Sequence, residues 1–506
     1  MTSGIHHVTA ITADVQRNVD FYAGFLGLRL VKQTGGYEDG AQLHLFYGDG
    51  AGSPGSLLSF LVWQGGARGR TGLGVVSEIA LAVPAAQIGD WLIRAMKAGV
   101  EATGPAAEGG HPVLRLRDPD GLIIKLTGVD AAPTVPWGEA PARIHSVTVL
   151  SDEAEATARF ITRFGYRETG REGPFIRLSS DRDQVEIRAS AGFVPAIAGA
   201  GVVDHVAFRA TDADAVRQMR LDLRDHEGVT NVHDRQYFLS LYVRAPGGLL
   251  VEYATDGPGF AVDEPEDALG QTLMFAPHDA GRADDLRVML PQFAMPGDER
   301  MPMRDLPFIH RFHHPAEPDG SVIVLLHGTG GNEADLMPLA HRLNPRATLL
   351  GLRGRSTEEG INRWFRRYSA VSYDQADIRA EAAAFAGFME EAQRAYGLDA
   401  ARISYLGYSN GANLLGAVMR LHPGTVRRAI LLRGIEVLED APRADLSGHE
   451  VLMLSGRDDY FGAMAPALET ALREGGAELD ARMLEAGHEL SPEDTEQAQG
   501  WLAARA

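Results

Sequence analysis

A histidine and a glutamate in two apolar, strand-like segments are the residues from which this chain's chemistry can first be inferred. His205 lies in the run Val203–Phe208, and Glu252 lies in the run Leu249–Tyr253. An ionised glutamate in such a buried segment is costly unless it is paired or bound to a cation. One histidine and one glutamate are two metal ligands, so the sequence predicts a metal site whose third donor lies elsewhere.

Internal repeats supply the third donor. The first half of the chain contains four units, each a strand, an amphipathic helix and a strand-rich tail, opening near residues 4, 77, 144 and 203. At the position of His205 the other units carry His7, Glu78 and Ser146, and at the position of Glu252 they carry Phe60, Lys125 and Glu186. The complete ligand set is therefore His7, His205 and Glu252. It requires the first and fourth units to pack side by side.

Two histidines and one carboxylate form the ligand set that holds non-haem Fe(II) and leaves adjacent positions open for substrate and O₂. We expect Fe(II) at this site, with Mn(II) as the alternative. A glyoxalase-like isomerase would need a second carboxylate ligand, which neither Phe60 nor Lys125 supplies. A metal-free domain that binds or sequesters a ligand is the other interpretation of this half.

The four units, with the His-His-Val-Thr opening at residues 6–9 and the segments 18–32, 235–238 and 251–256, resemble the vicinal oxygen chelate superfamily over residues 4–295. Within it they are most similar to ring-cleaving dioxygenases of hydroquinone-type aromatic diols. This resemblance implies βαβββ modules, an aromatic diol and O₂ as substrates, and further active-site roles for His6, Thr9, Arg235 and Tyr242. The family often has a second His-His pair, whereas Asp204 precedes His205 here, which leaves the deprotonation or orientation of the substrate hydroxyl open.

A Gly-x-Ser-x-Gly motif in the second half indicates nucleophilic catalysis. The strand Arg402–Leu406 runs into this motif, whose serine is Ser409, and a helical segment follows; the glycines allow a turn tight enough to project the serine above the sheet. Asp458 and Asp459 both follow the next suitable strand, and the spacing after Gly456 favours Asp459. The expected catalytic groups are Ser409, Asp459, His488 and the oxyanion-hole N–H groups of Thr329 and Asn410.

Residues 305–506 resemble the small carboxylesterase/phospholipase group of α/β-hydrolases. The expected fold class is thus an α+β half of four βαβββ modules fused to an α/β-hydrolase domain. We expect modules one and two in residues 1–130, modules three and four in 140–295, a linker in 296–304 and the hydrolase in 305–506. The predicted function is a ring-cleaving dioxygenase joined to a serine carboxylesterase, which acts on an ester precursor or on the ring-opened product. The alternative is an esterase fused to a non-catalytic or glyoxalase-like domain.

The composition limits the possible partners, the cysteine chemistry and the cellular location of the protein. The chain has 506 residues, with 68 acidic against 48 basic side chains and a net charge of −20, which argues against nucleic-acid and anionic-membrane partners. The absence of cysteine excludes disulfides, thiolate metal sites and thiol nucleophiles. With no targeting segment or membrane-length apolar run, we expect a cytoplasmic protein. The oligomeric state stays open, a homo-oligomer included.

Overall fold

The computed structural model describes residues 4–130, 140–141, 143–226, 228–300, 304–441 and 443–505. The chain divides into two compact units, Met1–Gly281 with Phe293–Glu299, and Arg282–Gln292 with Arg300–Ala506. The division differs from the expected linker at 296–304, because a short stretch before it already belongs to the second unit. Residues 301–303 of that linker lie outside the described residues.

The first unit is built from four βαβββ modules. Module one comprises β1 (Ile5–Thr12), α1 (Val15–Val19, continued by a π-helical turn over Asp20–Phe25), β2 (Arg29–Gly35), β3 (Leu43–Gly48) and β4 (Leu57–Val62). Module two comprises β5 (Val76–Pro84), α2 (Ile88–Ala98), β6 (Ala102–Glu108), β7 (His111–Arg117) and β8 (Ile123–Val129). Module three comprises β9 (Ile144–Ser151), α3 (Ala154–Ile161), β10 (Arg167–Glu172), β11 (Phe175–Ser179) and β12 (Gln184–Ala189). Module four comprises β13 (Val203–Ala210), α4 (Ala213–Asp222), β14 (His233–Asp234), β15 (Phe238–Arg244) and β16 (Leu250–Pro258). The short strand β17 (Leu273–Met274) follows.

The modules pair in the order that the ligand set required. Modules one and four form one sheet, β14-β15-β16-β13-β1-β4-β3-β2-β17, and modules two and three form another, β10-β11-β12-β9-β5-β8-β7-β6. The opening strands β1 and β13 pair antiparallel at the centre of the first sheet. The predicted packing of the first repeat against the fourth is therefore confirmed.

The register corrects one assignment made from the repeats. Ala207 on β13 pairs with Glu252, and Thr9, which occupies the corresponding place on β1, pairs with Ser59. Ser59, and not Phe60, is thus the counterpart of Glu252 in module one. Both are buried, and β4 is buried along almost its whole length, so no alternation in burial fixes the register from sequence. The serine hydroxyl does not replace the missing carboxylate.

The second unit is a mixed α/β sheet between helical layers. Its elements in chain order are α5 (Ala283–Met289), β18 (His310–His313), β19 (Val322–Leu326), α6 (Met337–Leu343), β20 (Thr348–Leu352), β21 (Arg367–Ser369), β22 (Ser372–Tyr373), α7 (Gln375–Tyr396), β23 (Ile403–Tyr408), α8 (Asn410–Leu421), β24 (Arg428–Leu432), β25 (Glu450–Gly456), α9 (Ala465–Glu474), β26 (Glu478–Leu484) and α10 (Pro492–Ala503). The sheet order is β18-β20-β19-β23-β24-β25-β26, and all pairs except β18–β20 are parallel. The strands in the middle of the sheet are apolar on both faces, as a covered parallel sheet requires.

Helix α5 explains why the division between the units differs from the linker. Its residue Val288 is 2% exposed and packs in the apolar cluster that contains Met337 of α6 and Trp501 of α10. A polar, turn-rich stretch further along the chain was the only boundary signal visible in the sequence. Within the described residues, no helix has the length and apolar character needed to cross a membrane.

Candidate active sites

Three predicted ligands converge at the centre of the first sheet. Glu252 Oε2 lies 3.0 Å from the Nε2 atoms of both His7 and His205, and these two nitrogens are 3.3 Å apart. All three side chains are buried, and Glu252 is fully inaccessible to solvent. Within the described part of the chain, no other group of His, Asp or Glu converges in this way.

Strand register produces this convergence. Thr9 on β1 pairs with His205 on β13, which places His7 and His205 on the same face of the sheet near the β1–β13 pair. Ala207 pairs with Glu252 on β16, so the glutamate rises on the same face one strand further along. Residues from three adjacent strands therefore meet above the sheet although they lie far apart in sequence.

His6 determines which nitrogen of His7 is available. His6 Nε2 lies 3.1 Å from the carbonyl oxygen of Thr255, to which it can only donate. Burial lowers the pKa of His6 to about 3, so the ring is neutral and its Nδ1 is an acceptor. His7 Nδ1 lies 2.9 Å from that atom and therefore carries the hydrogen. His7 Nε2 is left with its lone pair facing Glu252. A register shift between Ile5 and His7 on β1 accompanies the two successive histidines.

Asp204 plays the matching part for His205. Its Oδ2 accepts a hydrogen bond from His205 Nδ1 at 2.7 Å. Burial lowers the pKa of His205, but Asp204 and Glu252 outweigh it and raise that pKa to about 9. Burial by itself would raise the pKa of Glu252, yet His7 and His205 hold it well below its usual range. In the metal-free site a proton on His205 Nε2 thus balances the carboxylate, and a metal cation at the same place would displace it.

The donor set fits a metal ion. With hydrogen on both Nδ1 atoms, loss of the His205 Nε2 proton leaves lone pairs on the two Nε2 atoms and on Glu252 Oε2, which lie 3.0–3.3 Å apart. Oε2 of the buried Glu252 faces the Nε2 atoms of both histidines at 3.0 Å. In an octahedral metal site with metal–ligand bonds of about 2.1–2.2 Å, three ligand atoms on one face lie about 3.0–3.1 Å from one another. The distances in this site are close to that spacing. The site can therefore hold a divalent cation.

A cavity of about 330 Å³ opens onto these ligands. Tyr242, opposite Glu252 in the β15–β16 register, and Arg235 both line it. Burial raises the pKa of Tyr242, which keeps its hydroxyl protonated. Arg235 lies over the Tyr242 ring at 5.3 Å and bonds to Glu38 at the cavity mouth. The lining of the cavity does not include His6 or Thr9, which bond instead to His7 and His205.

His44 is a cavity residue that the repeat comparison did not identify. Its Nε2 lies 3.1 Å from Ser59 Oγ, which is 2.8 Å from Thr9 Oγ1, and Thr9 Oγ1 is 2.9 Å from His205 Nε2. Burial lowers the pKa of His44 to about 3, so its ring is neutral. One ring nitrogen of His44 is therefore a donor and the other an acceptor, and Nδ1 has no hydrogen-bond partner among the described residues.

The second sheet carries no such site at the equivalent place. Lys125 Nζ lies 3.3 Å from Glu186 and 3.9 Å from Glu78, so an ammonium group stands among the carboxylates. Arg115 also pairs with Glu78. These residues form a partly buried ion-pair network in place of a metal site.

Ser409 occupies a strained turn between β23 and α8. Its φ of 50° and ψ of −112° are sparsely populated for a residue with a side chain. A Cβ at Gly411 would lie 2.1 Å from the carbonyl oxygen of Leu326, and one at Gly407 would lie 2.7 Å from the Ala412 nitrogen. The two glycines of the motif are therefore required by close backbone approach, as a nucleophile elbow needs.

The expected acid and base meet the serine. His488 Nε2 lies 3.0 Å from Ser409 Oγ, and His488 Nδ1 lies 3.1 and 3.0 Å from the two carboxylate oxygens of Asp459. The interaction involves Asp459 rather than the neighbouring Asp458. Arg433 donates to the carbonyl oxygens of Gly487 and Glu489, on either side of His488, and so fixes the loop that carries it.

The residues of the expected oxyanion hole, Thr329 and Asn410, line the same pocket as Ser409. Asn410 begins α8, so its N–H precedes the first intrahelical hydrogen bond. In the described part of the chain, neither this N–H nor that of Thr329 has a recorded acceptor. His327 Nδ1 donates to the carbonyl oxygen of Gly328 and thereby holds the loop that carries Thr329. Ser409, His488 and Asp459 have the geometry of a serine-hydrolase triad, and the oxyanion hole formed by Thr329 and Asn410 stays a prediction.

Comparison with known proteins agrees with both halves. Residues 4–126 match the Glyoxalase/Bleomycin resistance protein/Dioxygenase superfamily. The putative ring-cleaving dioxygenase MhqO of Bacillus subtilis is 35% identical over 293 residues, covering 55% of this chain and 93% of MhqO. The chlorohydroquinone/hydroquinone 1,2-dioxygenase of Sphingobium indicum is 31% identical over 305 residues, covering 56% of this chain and 94% of that enzyme.

The second half has a separate relative. The putative hydrolase MhqD of Bacillus subtilis is 33% identical over 189 residues, covering 36% of this chain and 92% of MhqD. The resemblances inferred from sequence motifs are thus confirmed for the dioxygenase-like and the hydrolase-like halves. The chain belongs to the Glyoxalase/Bleomycin resistance protein/Dioxygenase superfamily, as a two-domain enzyme that joins a unit of the ring-cleaving dioxygenase type to an α/β-hydrolase unit.

Proposed function

We propose that the first unit cleaves the ring of a hydroquinone-type aromatic diol with O₂ at Fe(II) held by His7, His205 and Glu252. The convergence of three lone-pair donors at 3.0–3.3 Å, with both Nδ1 atoms already committed, is the observation that carries the proposal. Bound Fe(II) supplies open coordination positions and the electron transfer that a reaction between O₂ and a diol requires. Similarity to the Sphingobium indicum enzyme supports the substrate class.

The residues around the cavity suit a small polar ring. A volume of about 330 Å³ is at the lower end for ligand sites, so a single-ring substrate fits best. The positive charge of Arg235 favours an ionised substrate hydroxyl, and Tyr242 offers a protonated hydroxyl as a donor. The buried ligand cluster and the aromatic ring of Phe238, which packs on His7, exclude bulk water from one side.

The second unit hydrolyses an ester through Ser409. His488 Nε2 accepts the Ser409 proton as Oγ bonds to the carbonyl carbon, and the N–H groups of Thr329 and Asn410 stabilise the charge that develops on the carbonyl oxygen. Asp459 holds the His488 ring with Nδ1–H directed towards it. His488 then protonates the departing alcohol, and water releases the acid by the reverse sequence. Similarity to a putative hydrolase supports this assignment.

Separable loss of two activities tests the proposal. The protein is purified without O₂, its metal content is determined, and uptake of O₂ is followed with methylhydroquinone and with catechol. We expect iron-dependent uptake with methylhydroquinone that His205→Ala abolishes and Ser409→Ala retains, and p-nitrophenyl acetate hydrolysis with the opposite pattern. Lack of iron binding, or uptake unaffected by His205→Ala, would leave an esterase attached to a ligand-binding domain.

A further inference from the structure

The pocket of Ser409 differs in charge from the rest of the chain. Three arginines, Arg363, Arg367 and Arg433, line it, and among the residues that the structure describes no aspartate or glutamate does. The whole chain has 68 acidic and 48 basic residues. A cleft lined by one sign of charge attracts and orients a substrate of the opposite sign. Whether the pocket can bind an anion depends on which of the three arginines are already paired within the protein.

Arg433 has a structural role. Its guanidinium forms a two-pronged, fully buried ion pair with Asp494 at 2.6 and 2.9 Å, and its remaining donors bond to backbone carbonyl oxygens. Asp494 neutralises its charge, and each of its guanidinium nitrogens already donates a hydrogen bond. Arg433 is thus not available to a ligand.

Arg363 is held beside the oxyanion-hole residues. The residue before it, Asn362, accepts a hydrogen bond from the Gly330 N–H, and Trp364 N–H donates to Asn410 Oδ1 at 2.8 Å. The side chain is 2% exposed, yet its carboxylate partner Glu359, at 3.0 Å, is 74% exposed. Its Nε is buried and has no acceptor among the described residues. Arg363 therefore has one N–H directed into a buried environment without a partner.

The Arg367 guanidinium has no carboxylate partner among the described residues, although the Arg367 backbone N–H donates to Glu358 Oε2 at 3.4 Å. It begins the hairpin β21–β22, and its side chain is exposed where it lines the pocket. The adjacent Arg366 pairs with Asp374 at 3.3 Å and with Asp377 at 3.4 Å, and it does not line the pocket. Arg366 is thus paired with carboxylates and lies outside the pocket, whereas, in the part of the chain that the structure describes, the Arg367 side chain is unpaired and lines it.

We propose that Arg367, supported by Arg363, forms an anion subsite, so that Ser409 acts on esters whose acyl part carries a carboxylate. This inference rests on the proposed esterase function and names its substrate class. The carboxylate binds to the arginine while Ser409 Oγ bonds to the ester carbonyl carbon. The carbon–oxygen bond to the alcohol breaks, and the alcohol leaves with the proton from His488. Water then releases a dicarboxylate.

The subsite also narrows the ester that the hydrolase accepts. An uncharged aryl ester of a diol offers nothing for Arg367 to bind. The hydrolase therefore acts on a carboxylate-bearing ester and not on a neutral one.

Matched ester pairs test the subsite. Monomethyl succinate, glutarate and adipate are compared with methyl butyrate, pentanoate and hexanoate, with product acid measured for wild type, Arg367→Gln, Arg367→Lys and Arg366→Gln. We expect wild type to favour one monoester over its neutral partner in kcat/KM, and Arg367→Gln to lower that ratio by about 10- to 100-fold, mainly through KM. Arg367→Lys should retain part of the ratio, Arg366→Gln all of it, and added salt should reduce it.

The outcomes separate the two hypotheses. Absence of a preference in wild type, or an equal ratio in Arg367→Gln and Arg366→Gln, would overturn the subsite while leaving the esterase intact. Failure of wild type to hydrolyse any of the six esters or p-nitrophenyl acetate would instead overturn the proposed function. Arg363→Lys provides a second variant that keeps the buried charge: a lower ratio with an unchanged melting temperature supports the role of its guanidinium, and an unchanged ratio removes Arg363 from the subsite.

Discussion

His6 Nδ1 lies 2.9 Å from His7 Nδ1, so one histidine fixes the tautomer of the next. We predict that His6→Phe, which keeps a ring but removes the acceptor, weakens metal binding by about 10- to 100-fold, as loss of a ligand's hydrogen-bond partner typically does. Titration with Fe(II) under anaerobic conditions measures this. His145→Phe is the matched control, because His145 precedes Ser146 at the corresponding place in module three, and it should bind metal as wild type does.

His44 should contribute to recognition of the diol rather than of the metal. Its Nδ1 is not bonded to the described part of the protein and His44 lines the cavity, so we predict that Nδ1 accepts a hydrogen bond from a substrate hydroxyl. We expect His44→Leu to raise the dissociation constant for methylhydroquinone about 10-fold and to leave iron content unchanged. The same substitution should have less effect on binding of the dimethyl ether, which has no hydroxyl to donate. Equal losses for both ligands would show that His44 acts only by packing, and His111→Leu in the other sheet controls for loss of a histidine.

The glycines of the hydrolase give a prediction about stability. A Cβ at Gly411 would lie 2.1 Å from the Leu326 carbonyl oxygen, whereas one at Gly387 in α7 would meet no atom within 4 Å. Gly411→Ala should therefore lower the melting temperature and abolish ester hydrolysis. Gly387→Ala should stabilise the protein by about 0.5–1 kcal/mol, because alanine is favoured in a helix interior. Calorimetry of both variants checks the two signs, and a destabilising effect of Gly387→Ala would contradict the packing described.

Asp118 gives the first unit a pH-dependent stability. Burial raises its pKa to about 6, although it accepts hydrogen bonds from Tyr22 Oη and the Leu122 N–H. An acid with a raised pKa binds a proton more tightly in the folded state, so stability decreases as pH rises from about 4 to 6 and stays lower above that range. At pH 7 the penalty is about 3 kcal/mol at most.

The comparison of Asp118→Asn with wild type isolates this contribution. Asparagine cannot ionise, so we expect the melting temperature of the variant, relative to wild type, to rise between pH 4 and pH 7. Asp181→Asn, at a residue whose side chain is 84% exposed, should show no such trend. A difference between Asp118→Asn and wild type that is constant across this range would mean that Asp118 is not the titrating group.

The convergence of three candidate ligands could be predicted from sequence because each repeat gave a comparison for the others. His7, His205 and Glu252 stand out against Ser146 and Lys125 only once the four modules are superposed. The serine hydrolase residues were predictable because the Gly-x-Ser-x-Gly motif has one structural solution. The first inference depends on a short pattern that recurs in four modules. The second depends on a short motif whose conformation the backbone geometry fixes.

The features that sequence did not supply depend on strand register and on packing between distant segments. Ser59 was missed by one residue because β4 is buried on both faces. His44 corresponds to Val113, Phe175 and Ser240 in the other modules, but that alignment follows from antiparallel pairing and not from spacing along the chain. Helix α5 joined the second unit through Val288, a contact that no local composition signals.

Labelling with ¹⁸O₂ tests the central claim most directly, because oxidation of a hydroquinone to a quinone also consumes O₂. Wild-type protein loaded with Fe(II) is given methylhydroquinone under ¹⁸O₂, and the product is analysed by mass spectrometry at once, before the aldehyde or ketone oxygen exchanges with water. The account predicts a ring-opened product that contains both labelled oxygen atoms, and none with His205→Ala. An unlabelled quinone as the enzyme-dependent product would contradict ring cleavage at the site formed by His7, His205 and Glu252.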